Sequence, residues 1–186
     1  MHRGWPRLVM LAAVITMAVA CSSSSPTAAT KTNGTVGAVP PQPAGKNPSA
    51  SAKMVCAKEA QNELGSGLGV TPVQVTRPTW VDHVYACQYV YPTGTLSLSV
   101  KELDSARQTT SYYEAFAARL GRRPGRLAVG QGAYVTTDGS VVVRKDWKVL
   151  LVDVSRLSNP FGQPPQSPSD TGLTVAATIL SCWSGA

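Results

Sequence analysis

The chain has 186 residues, with 17 Lys and Arg against 10 Asp and Glu, which gives a formal net charge of +7 at pH 7. An excess of this size indicates solubility and non-specific attraction to anions rather than a dedicated binding site. No basic helix or base-stacking motif accompanies the charge in the sequence, so nucleic acid is excluded as the expected partner.

The first twenty residues have the pattern of an export signal. Arg3 and Arg7 give a positive start, and 8–20 is a run of thirteen residues without a charge. Such a run suits the apolar region of a signal peptide and is shorter than the roughly 20 residues that a membrane-spanning helix needs. We therefore predict a signal peptide at 1–20, whose removal leaves 15 basic and 10 acidic residues and a net charge of +5.

Cys21 directly follows this signal, after the small residues Ala18 and Ala20, and precedes four serines and a proline. The arrangement resembles the lipobox of bacterial lipoproteins, with Ala18 where leucine is commonest. The resemblance implies that the Cys21 thiol receives a diacylglycerol, so that acyl chains such as palmitate anchor the protein at the extracytoplasmic side of the cell membrane. The alternative is an ordinary secretory signal in which Cys21 is incidental.

Residues 21–52 have the composition of a flexible tether. Ser, Thr, Pro, Ala and Gly dominate, and Val36 and Val39 are the only large apolar residues. Such a segment cannot bury enough apolar surface to offset the entropy of ordering it. Coil scaling of about 5 to 6 Å times the square root of the length predicts a mean reach of roughly 30 Å.

The folded part is predicted as a single domain over 53–186. Its first element is a helix over 52–64, where Val55, Ala60 and Leu64 approximate helical spacing and Gly65 suits a helix end. The glycine-rich run 65–69 follows a helix instead of a strand, so it is predicted to be a loop and not a nucleotide-binding turn.

Two runs rich in β-forming residues, 84–91 and 95–103, are separated by Pro92-Thr93-Gly94 and predict a hairpin. A short strand within 73–81 precedes it. After a helix, three more strands are predicted at 127–137, 140–145 and 148–155, with Asp138-Gly139 indicating a type I′ turn.

The intervening helix is capped by Asp104 or Ser105 and is predicted to run to Leu120 and end at Gly121. A proline-rich loop follows the strands over 158–170, a length that in a compact domain is typically functional or disordered. Asp170 or Thr171 then caps a last helix over 172–183. These elements predict an α+β fold in which an antiparallel sheet of about five strands carries helices on one face.

The densest charge of the mature chain lies just after the predicted middle helix, at Arg119, Arg122, Arg123 and Arg126. Guanidinium groups so placed can pair with phosphate or carboxylate groups, which makes this cluster the best candidate for an anionic contact. The alternative is a solvated helix end, because cations suit a helix C-terminus.

With Cys21 reserved for lipid, Cys56, Cys87 and Cys182 remain, an odd number in an oxidising compartment. One disulfide can form, and the spacing leaves all three pairings open. A zinc site of three thiolates is the alternative, although His83 is the only histidine of the mature chain.

No catalytic motif is visible. His83 has no recognisable nucleophile context, and no spacing singles out an acid and base pair among the carboxylates. We therefore do not predict an enzyme, a metal or a cofactor. A hydrolase that uses His83 or a carboxylate pair remains the alternative; the available carboxylates are Asp82, Glu102, Asp104, Glu114, Asp138, Asp146 and Asp153.

Three short segments resemble the pattern of small secreted actinobacterial, especially mycobacterial, lipoproteins of unknown function. They are Met54-Val55-Cys56, Tyr85-Ala86-Cys87-Gln88-Tyr89 with a second cysteine, and Gly130-Gln131-Gly132-Ala133-Tyr134. The resemblance implies helices on an antiparallel sheet and favours a Cys56 to Cys87 disulfide. The acidic residue usual after the second glycine is absent, and Cys182 is additional.

The expected function is that of a membrane-anchored cell-envelope lipoprotein, a non-catalytic ligand-binding or accessory module of unknown biochemical activity. Its expected contacts are the membrane through Cys21 and an envelope lipid, a wall polymer or a partner protein. The open face of the sheet and the arginine cluster are the surfaces predicted to make them.

Overall fold

The computed structural model describes residues 40–123 and 127–183. The predicted signal peptide, Cys21 and Arg126 lie outside these described residues. Within them the chain forms four helices, α1 (Ala50–Met54), α2 (Lys58–Leu68), α3 (Ala106–Leu120) and α4 (Pro168–Cys182). It also forms seven strands, β1 (Gln74–Val75), β2 (Thr79–Val81), β3 (Val84–Tyr91), β4 (Gly94–Glu102), β5 (Gly132–Val135), β6 (Val141–Lys145) and β7 (Lys148–Leu157). None of the four helices combines the length and the apolar character needed to cross a bilayer.

The strands form one antiparallel sheet in the order β1-β3-β4-β7-β6-β5, with β2 also paired to β3. The predicted α+β class is confirmed, and so is the β3–β4 hairpin, in which Cys87 lies opposite Leu98. The described residues contain seven strands instead of about five. The two additional strands, β1 and β2, are short. Pro78 lies between them and interrupts the pairing, because it has no N–H for a strand ladder.

Alternating side chains of β6 and β7 enter two different cores. Val141 and Leu150 belong to the core that also contains residues of α1, α2 and α4, whereas Val142 and Val149 pack with Phe116 of α3. The prediction that the helices cover one face is therefore wrong, because α3 lies on the opposite face from the other three. The nearly continuous apolar sequence of β6 and β7 is typical of strands that are covered on both sides.

The predicted first helix over 52–64 is two helices, with a break at 55–57. The Val55 carbonyl accepts a hydrogen bond of 2.7 Å from the Tyr89 hydroxyl, and Cys56 is bonded to Cys87. Ala57, with ψ of 156°, is extended and starts α2. The chain therefore turns where it is tied to β3.

The predicted loop at 65–69 is wrong because α2 continues to Leu68 and ends at Gly69, which has a φ of 64°. Leu64 and Leu68 are fully buried at helical spacing. Burying a leucine is worth about 1.5 to 3 kcal/mol, which exceeds the roughly 1 kcal/mol that a glycine costs inside a helix. Packing therefore overrides the helix-breaking tendency of Gly65.

The last helix begins earlier than predicted, at Pro168, with Ser167 as its N-cap. The Ser167 hydroxyl accepts a hydrogen bond from Asp170 N, and proline is suited to the first helical position because no N–H is needed there. Gly172 lies inside this helix against Val141, where a Cβ would come within 2.8 Å of Val141 Cγ2.

The proline-rich segment before α4 is an ordered turn. Phe161 and Gln166 exchange two backbone hydrogen bonds of 3.0 and 2.7 Å. Gln163 N donates to Leu68 O over 2.8 Å, and Ser158 N donates to Thr93 O over 3.1 Å. These bonds tie the segment to the end of α2 and to the β3–β4 turn.

The predicted hairpin at Asp138-Gly139 is present, but its type I′ turn is wrong. Only Gly139 of this pair has a positive φ, 93°, and Thr136 N donates to Ser140 O across a three-residue loop. Turns with two successive positive φ values occur instead at Asp82-His83, with φ of 49° and 57°, and at Asp146-Trp147, with φ of 51° and 59°.

The residues just before Lys53 are part of the folded domain. Ala52 is fully buried, and Ser49 caps α1 through a bond from Ala52 N. The indole Nε1 of Trp80 donates to Lys46 O over 2.9 Å. The chain therefore joins the domain at the end of the sheet where β3 begins and β4 ends.

Candidate functional site

The side of the sheet that α3 covers carries two rows of side chains, and in each row two aromatic rings lie between two cations. The ends of α3 are as predicted: Ser105 is its N-cap and Gly121 its C-cap. Helical spacing therefore places Tyr112 and Phe116 one turn apart and Arg119 beside Phe116. Two further cations come from the sheet, Lys101 at the end of β4 and Arg144 in β6.

In the first row, four side chains stack in the order Lys101, Tyr112, Phe116, Arg119. The Tyr112 and Phe116 rings are stacked with centroids 5.2 Å apart. Lys101 Nζ lies 6.0 Å from the Tyr112 centroid, and Arg119 Cζ lies 4.4 Å from the Phe116 centroid. Each end of the ring pair is therefore covered by a cation within the range of cation–π attraction.

In the second row, Arg122 and Arg144 enclose the ring pair Tyr134 and Tyr113. The ring centroids are 5.1 Å apart in an edge-to-face arrangement. Arg122 Cζ lies 5.5 Å from the Tyr134 centroid, and Arg144 Cζ lies 5.5 Å from the Tyr113 centroid. Arg144 is fixed further, because it donates from Nη1 to Thr110 Oγ1 over 2.7 Å and from Nη2 to Gln131 O over 3.2 Å.

Arg123 differs from the other predicted arginines. Its backbone N–H donates to Val135 O over 2.9 Å, and its Nη2 donates to Thr137 O over 2.9 Å. It closes the outer edge of β5 and does not stack on a ring. The predicted cluster therefore divides into Arg119 and Arg122, which lie on aromatic faces, and Arg123, which binds backbone.

The four stacked cations have no carboxylate within ion-pair distance in the part of the chain that the structure describes, where the only ion pair joins Lys145 and Asp146 at 3.8 Å. Glu114 on α3 acts on Tyr113 and Tyr134 only through its charge. We call Lys101, Arg119, Arg122 and Arg144 with their rings the cationic face. No acid among residues 40–123 and 127–183 is paired with these four cations.

Burial raises the pKa of both tyrosines in the second row. For Tyr113 the charges of Arg122 and Arg144 oppose this effect, and for Tyr134 those of Arg122 and Arg119 do. The Tyr134 hydroxyl and Arg144 Nε are buried without a hydrogen-bond partner among the described residues. The phenols therefore stay neutral at pH 7, and the rings act on the arginines through their π faces.

The disulfide joins Cys56 and Cys87, whose Cα atoms are 6.0 Å apart. This is the pairing that the lipoprotein resemblance implies. Cys182 lies at the end of α4 and takes no part in this disulfide. Because two of the three thiols are oxidised, a site of three thiolates cannot form, and no three His, Cys, Asp or Glu side chains within the described ranges are arranged to hold a metal.

His83 occupies the tight turn between β2 and β3, with its ring edge-to-face with Trp80 at 5.6 Å. The described residues provide no hydrogen bond to its imidazole. Among the carboxylates, Asp138 and Asp153 are connected through Ser140, which donates from N to Asp138 Oδ1 over 2.9 Å and from Oγ to Asp153 Oδ1 over 3.4 Å. These contacts tie the β5–β6 turn to β7, and Ser140 is only 2% exposed, so its hydroxyl is not presented to a substrate.

Sequence reasoning did not identify Lys101 and Arg144 as site residues. Alternation in the strands puts Arg144 on the same face of β6 as Val142, but nothing local links it to Tyr113, thirty-one positions earlier. The packing of α3 on β5 and β6 brings them together. Comparison with protein-family models, with curated proteins and with solved structures found no significant match for this chain.

Proposed function

We propose that the chain is an exported lipoprotein, held at the outer side of the cell membrane by acyl chains on Cys21, whose domain is a non-catalytic module that binds an anionic component of the envelope. The observation that carries the proposal is the cationic face, where four cations stack on aromatic rings and none is paired with an acid among the described residues.

Stacking on a ring suits a cation to ligand binding because it uses the face of the guanidinium plane. The N–H donors point outward in that plane and stay available for a phosphate or carboxylate. Arg119 and Arg122 are the exposed members of the face, and the rings restrict their motion. A ligand therefore meets arginines that have already lost part of their conformational freedom.

The anchor supplies the second part of the proposal. Acyl chains on Cys21 would hold the domain at the bilayer, since each buried CH₂ contributes about 0.8 kcal/mol. The tether at 21–52 would let the domain sample a shell of roughly 30 Å around the anchor. Within that shell, phosphate groups of lipids are the anions nearest to the cationic face.

Vesicle co-sedimentation of residues 22–186, which lack the lipidated cysteine, tests the anionic contact. Binding to an equimolar mixture of phosphatidylglycerol and phosphatidylcholine is expected, with none to phosphatidylcholine alone. The double variant Arg119→Gln, Arg122→Gln should bind about tenfold more weakly or worse, since each cation near an anionic surface is worth about 1 kcal/mol.

The matched control is Arg77→Gln, Arg156→Gln, which removes the same charge from two exposed arginines away from α3. Its binding should stay close to that of the unaltered chain. If both double variants lose affinity equally, attraction is a property of net charge, and the cationic face is not a binding site.

A further inference from the structure

A groove of about 680 Å³ opens at the end of the sheet where β3 passes into β4. Its walls are the last turn of α2, the β3–β4 turn and the segment that follows β7. Its volume lies within the 300 to 1,000 Å³ that is typical of small-molecule sites. The groove is therefore large enough for a short chain of small rings.

None of the residues that line the groove carries a charge. Hydroxyl groups of Ser66, Thr71, Thr93 and Ser158 alternate with apolar surface from prolines, Val70 and Phe161. An ionic ligand would have no counter-charge here. The Ser66 and Ser158 hydroxyls donate to Asn62 O and Pro160 O, but a purely apolar ligand would remove water from the Thr71 and Thr93 hydroxyls. The lining therefore suits a neutral ligand with its own hydroxyls and with apolar C–H faces.

The groove is also preformed. Gln163 N donates to Leu68 O over 2.8 Å, and Ser158 N donates to Thr93 O over 3.1 Å, so the segment after β7 is joined by backbone bonds to both other walls. The end of α2 approaches the segment after β7 so closely that a Cβ on Gly69 would lie 1.9 Å from Gln163 O. A ligand would not need to order these walls, and that saving favours binding.

The groove lies at the opposite end of the domain from the point where the tether joins it. The chain enters the domain near the start of β3, and the groove lies beyond Tyr91, the last residue of that strand. The eight residues of β3 at about 3.3 Å each separate the two by roughly 25 Å. The groove thus opens at the end of the domain that is farther from the tether.

We propose that this groove binds a neutral saccharide. Sugar rings match this lining, because their hydroxyls can donate to Ser66 and Ser158 Oγ and exchange hydrogen bonds with Thr71. Their C–H faces can contact the prolines and Val70. The site is separate from the cationic face and does not depend on it.

The test uses the purified mature chain in detergent on an array of neutral oligosaccharides, in about 1 M NaCl, where attraction between exposed charges is screened to a Debye length of about 3 Å. Retention of at least one neutral glycan is expected. Two separate variants fill the groove, Ser66→Trp on α2 and Thr93→Trp in the β3–β4 turn, and each should lower the affinity about tenfold or more by steric exclusion.

The matched control is Ser111→Trp, which places the same side chain at an exposed serine of α3, far from the groove. Its affinity should match that of the unaltered chain, and circular dichroism of all three variants separates loss of binding from loss of folding. No retained neutral glycan, or retention that both groove variants preserve, overturns the proposal. Binding of proline-rich peptides in place of glycans, blocked by the same variants, overturns the saccharide assignment.

The two proposals fail separately. The Arg119→Gln, Arg122→Gln variant should keep its glycan binding at high salt, and the Ser66→Trp variant should keep its affinity for phosphatidylglycerol vesicles. A variant that loses both activities together would indicate one shared site and would contradict the assignment of a separate groove.

Discussion

The Glu102 carboxylate at the end of β4 accepts hydrogen bonds from both the backbone N–H and the hydroxyl of Ser49. Ser49 in turn accepts a bond from Ala52 N and so caps α1. Glu102 is only 4% exposed, and it therefore depends on Ser49 to compensate the loss of water. Ser49 thus caps a helix and also provides hydrogen bonds to a buried carboxylate.

Ser49→Ala should lower the free energy of unfolding by about 2 kcal/mol. Loss of the cap costs about 1 kcal/mol, and the loss of a hydrogen bond to a charged group costs at least as much again. Urea denaturation at pH 7 measures the change. Ser111→Ala, at an exposed serine without such bonds, should stay within about 0.5 kcal/mol of the unaltered chain; equal effects would contradict the role of the Ser49 hydroxyl.

Two buried threonines form a matched pair for the cost of an unpaired hydroxyl. Thr109 and Thr171 each lie four residues after their N-cap, and they are 1% and 0% exposed. The Thr109 hydroxyl donates to Ser105 O over 2.8 Å, whereas Thr171 Oγ1 has no partner among the described residues.

Thr109→Val should therefore destabilise the domain by about 1 kcal/mol, because a hydrogen bond is lost. Thr171→Val should be neutral or should raise the melting temperature, since it removes a hydroxyl that is buried without a bond. Differential scanning calorimetry of both variants checks the pair. The reverse order of stability would show that the Thr171 hydroxyl is satisfied by an internal water.

Asp138 makes the stability of the β5–β6 hairpin depend on pH. Partial burial acts to raise its pKa, but hydrogen bonds from Thr136 and Ser140 outweigh burial and leave the pKa below the ordinary value of 3.8. A carboxyl group with a lowered pKa in the folded state contributes stability above its unfolded pKa and loses it as the pH falls through the folded pKa.

Asp138→Asn should accordingly be less stable than the unaltered chain at pH 6, and the difference should shrink as the pH falls below about 4. The amide oxygen of asparagine can still accept the bonds from Thr136 and Ser140, so the comparison isolates the charge. Denaturation curves across this pH range give the result. A difference that is constant with pH would contradict the lowered pKa.

The disulfide closes a loop between Cys56 and Cys87, which are 31 positions apart. The chain-entropy relation gives about 3 to 4 kcal/mol for a loop of this length. The double variant Cys56→Ala, Cys87→Ala should lose about that much stability in urea. A loss below about 1 kcal/mol would indicate that the unfolded chain is already compact without the bond.

The proposed lipid anchor predicts where the protein is found after fractionation of its cells. Cys21→Ala should move the protein from the membrane fraction to the soluble fraction, because it removes the thiol that we propose receives the diacylglycerol. Immunoblots of both fractions provide the measurement. Retention of the variant in the membrane fraction would contradict anchoring through Cys21.

Local signals predicted the elements whose ends depend on their own neighbouring residues. Ser105 and Gly121 bound α3 because a cap and a glycine stop act within one turn. The loop predicted from Gly65 was wrong for the opposite reason. The free energy gained by burying Leu68 depends on residues that are distant in the sequence. Arg144 could not be predicted for the same reason, because only the packing of α3 on the sheet brings it to Tyr113.

The two faces of the sheet could not be told apart from alternation alone. β4 alternates clearly, with Leu98 buried and its polar neighbours half-exposed, and this pattern predicts one covered face. β6 and β7 are apolar at successive positions, which indicates burial on both sides but does not say which helix lies on which. Only the packed fold shows that α3 covers Val142 and Val149, whereas Val141 and Leu150 belong to the core that contains α4 residues.

The position of β7 between β4 and β6 has a consequence for the order of folding. β3 pairs with β4 across a tight turn, and β6 pairs with β7 across another, whereas partners along β4 and β7 are at least 46 positions apart in the chain. Local pairs close quickly, and distant pairs must first overcome the entropy of a long loop. We therefore expect two hairpin units to form early and to remain separate until the seam between β4 and β7 closes. The disulfide joins the segment between α1 and α2 to β3, and neither cysteine belongs to the second unit, so oxidation can precede the arrival of that unit.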